Sequence, residues 1–369
     1  MRIPLLRVAG GHREVGRAVG AATAPVLRDA VAFDAAIPAG RSREEQLALA
    51  ARYRDATRAA TPWLVEEIDG AAEGAGVDPV ALFAASVEEI WTVRPSQAGT
   101  AEPVPGRCSD LVIGPPHTAD GHTWVAHNND LGEGSEARLV AIEWRVPGEP
   151  VIFSLGIGPW ISVGWNDAGL SLTGNELSPN DERVGVPRLL MVREQLTAST
   201  LDAAVAMALR PDRASSYNTV FAHRDGRAVN VEGSAGDAVV RALGVGETLA
   251  HTNHYVEPAM LGYEGDPAYA RRSAVRYGRA CALLAGAAAG LPGSVTPAVL
   301  LAWLADHEGA PDSICRHPGA AAGSAAERAA DEAAVKTVFW TIADVSAGEI
   351  AYGRGNPCAG AEPQRHAFA

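Results

Sequence analysis

The chain is poor in the features that would place it in several common protein classes. Only four cysteines occur in 369 residues, Cys108, Cys281, Cys315 and Cys358, and none forms a CxxC pair, so neither a disulfide framework nor a redox motif is expected. No stretch reaches the roughly 18 consecutive apolar residues of a membrane-spanning helix, and the opening MRIPLLRVAGGHREVG lacks the unbroken apolar run of a secretory signal. The expectation is a protein that neither spans a membrane nor leaves the cell by a standard signal, with reduced thiols in the cytoplasm. Positive charge is also short: 31 Lys and Arg stand against 44 Asp and Glu, for a net charge of −13. A broad basic face able to neutralise several phosphates does not follow from that balance, so nucleic acid is not an expected partner, and neither is a membrane. Neither GxGxxG in a strand-to-helix setting nor GxxxxGK[ST] is present, which removes the usual nucleotide cofactors.

What is present is ordinary globular material, 47% hydrophobic and 20% charged. Residues 11–93 carry helical periodicity over 12–37 and 42–60, then two starts with cap chemistry, Thr61-Pro62 and Asp78-Pro79. A breaker-rich linker, RPSQAGTAEPVPG, fills 94–106. After Cys108 the texture changes to short β runs broken by turn signals: SDLVIG, HTWVAHN, RLVAIEWRV, PVIFSLG, WISVGW and GLSLTGN. Helical segments at 187–196 and 201–209 follow, then the strands NTVFAHR, RAVNVEG and TLAHT. Ala-rich helices over 270–289 and 297–307, a low-complexity connector at 319–334, and the strands KTVFWTIADV and EIAYG complete the chain. Strands, then helices, then strands again predict an α+β fold, a four-layer αββα sandwich with helices outside two stacked antiparallel sheets.

Cys108 stands where a helical segment and a linker give way to dense β structure. A cysteine in that place suits an N-terminal nucleophile, whose own α-amine becomes the base once the preceding peptide bond is cut. The amine has an ordinary pKa near 8 and the thiol near 8.5, so both titrate close to neutral pH. The plain alternative is a buried small hydrophobe.

A resemblance runs from Cys108 to Cys358. GRCSDLVIGPPHTADGHTWVAHNND, GWNDAGLSLTGNEL, SSYNTVFAHRDGRAVNVEG, LAHTNHY and PDSICRHP followed by GNPC resemble, in the same order, the acyl-coenzyme A:6-aminopenicillanic acid acyltransferase family of autoproteolytic N-terminal-nucleophile hydrolases. The resemblance implies the N-terminal-nucleophile hydrolase fold, with a pro-segment 1–107 and a catalytic segment 108–369 forming one structural domain. It implies cleavage between Arg107 and Cys108, with Cys108 as nucleophile and Asp130 holding the new amine. Asn175 and Asn253 would support the amine and the oxyanion, and Arg316 would orient the nucleophile or a substrate carboxylate. Asn128 and Ser109 fill supporting positions. Arg107 stands where a fungal relative has glycine, Ser109 where threonine is frequent, and Asn129 where an aromatic is usual. The implied reaction moves an acyl group from an amide or thioester through an acyl-Cys108 intermediate to an amine or water. No cofactor is required, acyl-coenzyme A is a possible co-substrate, and the partners are a small-molecule acyl donor and an amine acceptor. The cut chains would stay associated, with a homo-oligomer also possible, and analogy suggests a role in antibiotic biosynthesis.

Two other readings stay open. One is an uncleaved or catalytically silent binding scaffold of the same fold. The other is a zinc amidohydrolase assembled from His122, His127 and Asp130 with His251 and His254 or with Cys315 and His317. HTWVAH places His122 and His127 on opposite faces of a strand, and no HExxH occurs, so no metal is expected.

Overall fold

A computed structural model of the chain describes residues 2–91, 107–318 and 335–368; the linker at 94–106 and the connector at 319–334 lie outside the described residues.

The N-terminal helices start where their caps predict. Ser42 and Glu45 form a reciprocal capping box on α3 (Arg43–Ala60), Pro62 opens α4 (Pro62–Ala75), and Asp78 accepts from the Ala81 N–H at the head of α5 (Pro79–Ala85). The periodic stretch 12–37 is not one helix. It breaks at Thr23 into α1 (His12–Ala22) and α2 (Ala24–Val31), because Pro25 fits only in a first turn. Helices α1 and α4 touch backbone to backbone through glycines: a Cβ on Gly16 would sit 2.0 Å from the Glu67 carbonyl oxygen, and one on Gly70 2.2 Å from that of Arg13. Gly16→Ala is therefore expected to cost about 1–3 kcal/mol by forcing the helices apart, seen as a lower urea midpoint at unchanged slope.

Fourteen strands among the described residues form two sheets. The larger runs in the order β1 (Leu5–Ala9), β4 (Leu139–Arg145), β5 (Ile152–Ile157), β6 (Trp160–Asn166), β7 (Leu170–Asn175), β8 (Asn218–His223), β9 (Ala228–Gly233), β10 (Ala238–Ala242). The smaller runs β11 (Leu249–His251), β2 (Arg107–Ile113), β3 (Trp124–Gly132), β12 (Val335–Asp344), β13 (Glu349–Arg354), β14 (Gln364–Ala367). Neighbours are antiparallel except β1 and β4, so the larger sheet is mixed at its edge. A parallel pair needs a long crossover, and the N-terminal helices lie within it.

Three apolar layers make this the expected αββα sandwich. Val15 and Val19 of α1, with Val192 of α6 (Arg188–Gln195) and Leu201 of α7 (Leu201–Ala208), cover the outer face of the larger sheet at Ile142 and Trp144. Leu284 of α8 (Pro267–Ala289) and Leu300 of α9 (Pro297–Leu304) cover the outer face of the smaller sheet at Leu111, Ile113 and Ala126. Val112 and Val125 of the smaller sheet meet Leu155 and Val220 of the larger one between the sheets. Side chains alternate along a strand, so this layering fixes the faces of β2 and β3. Cys108, Asp110, His127 and Asn129 share the face of Val112 and Val125, between the sheets. Arg107, Ser109, Asn128 and Asp130 share the face of Leu111 and Ala126, under α8 and α9.

Candidate active site

Cys108 is the second residue of β2 and faces Asn129 across the ladder. Its side chain is 7% exposed and lines a cleft of about 560 Å³, part of it open to solvent. Leu131, Ile161, Leu172, Leu189 and Val192 give that cleft apolar walls, while Asn175, Glu88, Glu176 and Tyr217 add polar groups. The Asn129 amide donates weakly to the sulfur at 3.6 Å.

The two asparagines divide between nitrogen and cleft. Asn253 follows β11, and its Oδ1 accepts from the Cys108 backbone N–H at 2.8 Å and from Arg276 Nη2 at 2.7 Å. Its Nδ2 is engaged by the Glu176 carbonyl at 3.1 Å, and Ser273 Oγ accepts from its N–H at 2.7 Å. Asn175, at the end of β7, is held by its oxygen: Oδ1 accepts from Asn218 Nδ2 at 3.0 Å and lies 3.1 Å from His251 Nδ1. His251 is fixed in turn by Glu232, 2.9 Å from its Nε2. Among the described residues Asn175 Nδ2 has no hydrogen-bond partner, and it is a buried donor on a residue that lines the same cleft as the thiol.

Asp130 and Arg316 lie on the other face of the smaller sheet. Asp130 Oδ1 accepts from Thr337 Oγ1 at 2.7 Å, and its Oδ2 has no hydrogen-bond partner among the described residues. Burial pushes its carboxyl above the usual range, against the pull of Arg276, Thr337, Arg316 and Arg107. Arg316 donates to Asp312 at 2.9 Å, and Arg107 shares that carboxylate at 3.2 Å while lying over the Tyr269 ring. Burial and the adjacent Arg107 and Arg276 charges pull the Arg316 guanidinium down to about 10 although Asp130 opposes them, so it stays charged at neutral pH. Asp130 therefore does not face the sulfur; Arg276, whose charge acts on Asp130, donates to the Asn253 oxygen that accepts from the Cys108 N–H. Ser109 is fully buried with its hydroxyl unpartnered among the described residues, and Asn128 ties β3 to α9 and the loop after it by donating to the Leu304 and Ile314 carbonyls.

Sequence reasoning missed Asp110 and the role of His127. These buried side chains meet at 2.8 Å, Nδ1 to Oδ1, on the same face as Cys108. Burial opposes the imidazolium, but the Asp110 charge and hydrogen bond, with a contribution from Cys108, push His127 up to about 10. Its Nε2 has no hydrogen-bond partner within bonding distance among the described residues. The signal lay in Cys-x-Asp and His-x-Asn, two same-face pairs, but only the β2–β3 register sets them side by side. The histidines offered to the metal alternative are scattered: His122 sits against Asp344, His127 against Asp110, His251 against Glu232. Cys315 and His317 gather with His307 and Cys358 and not with Asp130, whose partner Thr337 accepts from the Arg316 N–H between them.

The family model for acyl-coenzyme A:6-aminopenicillanic acid acyl-transferase matches residues 117–319, more than half of the chain. The chain belongs to this acyltransferase family. The span matched to the acyl-coenzyme A:6-aminopenicillanic acid acyltransferase family contains Asn128, Asp130, Asn175, Asn253 and Arg316 and begins after Cys108. No curated protein matches the chain. Among solved structures, it is similar to a Caenorhabditis elegans ortholog of N-acylethanolamine-hydrolyzing acid amidase, at 15% identity over 65% of this chain and 93% of that one, with a TM-score of 0.40. It is similar to a variant of conjugated bile acid hydrolase from Clostridium perfringens, at 12% identity over 71% and 97%, with a TM-score of 0.45. It is also similar to penicillin V acylase from Agrobacterium tumefaciens, at 12% identity over 70% and 84%, with a TM-score of 0.40. No helix among the described residues is long and apolar enough to cross a membrane.

Proposed function

We propose that this family member is a cysteine N-terminal-nucleophile acyltransferase or amidohydrolase that first cuts itself between Arg107 and Cys108. The observation that carries the proposal is the convergence on one residue of three features: a cleft-lining thiol, a carboxamide on its own nitrogen, and an unpartnered amide donor in the same cleft. In the uncut chain the Cys108 nitrogen is an amide and has no basicity to offer. His127, held by Asp110 and charged at neutral pH, supplies the positive charge that favours the Cys108 thiolate. The thiol attacks the Arg107 carbonyl, the C–N bond breaks, and the nitrogen takes up the proton lost by sulfur. Water then hydrolyses the thioester, leaving an Arg107 carboxylate, a free thiol and an α-amine held by Asn253.

In turnover, the thiol adds to the carbonyl of an amide or thioester and Asn175 Nδ2 meets the oxyanion. The leaving amine or thiol takes its proton from the Cys108 ammonium, and an amine or water then takes the acyl group from sulfur. The apolar cleft walls suit an acyl chain, and acyl-coenzyme A suits the donor role. Strand β1 pairs with β4 along the edge of the larger sheet and α1 packs over that sheet's outer face, so we expect the two cut chains to stay associated.

Intact-mass spectrometry with a screen of acyl thioesters and N-acyl amines tests the proposal. Supporting it requires two chains, 1–107 and 108–369, and an acyl adduct on the second. A full-length chain that never cuts and never acylates leaves the silent scaffold in its place. His127→Gln is expected to slow self-cleavage by about 10²–10⁴-fold. His127 also gives a stability signature. Its folded value near 10 lies above the ordinary value of about 6.5, so its stabilisation is whole below that pH and is lost as pH rises towards 10. Urea midpoints of the Cys108→Ala chain should fall over that window, and adding His127→Gln should flatten the fall.

A further inference from the structure

We infer that the chain holds one structural zinc ion between His307, Cys315, His317 and Cys358, a site separate from the acyl-transfer cleft and independent of the reading given to that cleft. The four ligand atoms all lie within 4.8 Å of one another. Their spacing is the stronger argument. Tetrahedral zinc at about 2.3 Å from sulfur and about 2.05 Å from nitrogen sets its ligands about 3.8 Å apart for S···S, about 3.6 Å for S···N and about 3.3 Å for N···N. The protein has 3.6 Å between Cys315 Sγ and Cys358 Sγ, 3.6 and 3.3 Å from those sulfurs to His317 Nε2, and 3.1 Å between His307 Nε2 and His317 Nε2.

Hydrogen bonding accounts poorly for the same geometry. His317 Nε2 faces a second imidazole nitrogen and two sulfurs, and one proton on it cannot serve all three. A divalent cation turns these crowded lone pairs into four bonds. Asn356 Nδ2 donates to Cys315 Sγ at 3.4 Å, the outer contact that steadies a zinc thiolate. Cys358 and His307 are exposed, which gives the ion an entry path, while Cys315 is buried. Four protein ligands leave no open position, so the ion is structural and activates no water.

Its place in the fold gives it work. His307 follows α9, Cys315 and His317 flank Arg316, and Cys358 lies in the turn after β13. Zinc would clamp both neighbours of Arg316, which pairs with Asp312 within the same loop, and tie that loop to the turn after β13. The ligand spacing is too irregular for a sequence motif, which is why the sequence led to an expectation of no metal.

The test is elemental analysis of the full chain purified under reducing conditions without chelator and then given zinc. About one zinc per chain is expected, falling below a third in Cys358→Ser and in His307→Asn, both at exposed positions that folding tolerates, while Cys281→Ser keeps its ion. Cobalt in place of zinc should give the intense visible bands of tetrahedral thiolate coordination, and zinc removal should lower the melting temperature. Less than a tenth of an equivalent after zinc addition, full zinc in the Cys315→Ser/Cys358→Ser double variant, an octahedral cobalt spectrum, or an intact mass showing a Cys315–Cys358 disulfide in the reduced preparation would each overturn the inference.

Discussion

Cys108→Ala is expected to leave one uncut chain of 369 residues and to abolish acyl turnover, the largest effect of any single substitution in this protein. Two losses coincide in it. The sulfur that attacks the Arg107 carbonyl is gone, so no α-amine is released, and no atom remains to carry the acyl group. The fold should survive, because Cys108 lies beside a cleft and the variant removes only one buried atom, a cost of about 1 kcal/mol. Cys108→Ser separates the two roles. A hydroxyl is a far weaker nucleophile at neutral pH than a thiol beside a charged imidazole, so slow cutting with turnover at least about 10³-fold down is the expected pattern. Gel analysis under denaturing conditions reads the first step and mass-detected acylation the second. Parental turnover in either variant would remove Cys108 from the chemistry altogether.

Asn175→Ala ranks next, with an expected loss of about 10²–10³ in kcat and little change in KM. The asymmetry follows from what its amide does. Asn218 and His251 hold Oδ1, which orients Nδ2 without using it, so the donor is prepaid and waits for a negative oxygen that exists only in the transition state. Substrate binding therefore loses little while the barrier rises. Asn175→Asp should be worse than alanine, since a carboxylate would meet the oxyanion with like charge. Asn253→Ala should behave differently: its Nδ2 is occupied by Glu176 and its oxygen serves the Cys108 nitrogen, so cleavage and the pH dependence of turnover should shift before kcat at the optimum does. Equal kinetics for the two alanine variants would contradict this division.

Much of the architecture was legible in residue order. The signals Thr61-Pro62 and Asp78-Pro79 start helices where they predict, because such a signal acts within one turn of chain. The strands with strong β texture also stand where expected. β1, β10 and β14 went unread: they are short, lie at or near sheet edges, and are defined by the neighbour they pair with more than by their own pattern. The helical run 12–37 was read as one piece because periodicity continues through Thr23 although the backbone does not.

The sequence by itself determined that a thiol opens a β segment, that asparagines and an arginine follow in family order, and that alternation separates Cys108 from its neighbours Arg107 and Ser109. Tertiary structure alone decided which groups meet. Register set His127 and Asp110 on the face of Cys108 and put Asp130 on the other, and packing under α8 joined Arg276 to Asn253. Folding also brought Cys358, in the turn after β13, to His307, Cys315 and His317 in the loop after α9. The reason is one of range. Caps, turns and alternation are interactions of neighbours along the chain, whereas strand register and loop closure are settled by the burial of whole faces, which no local pattern encodes.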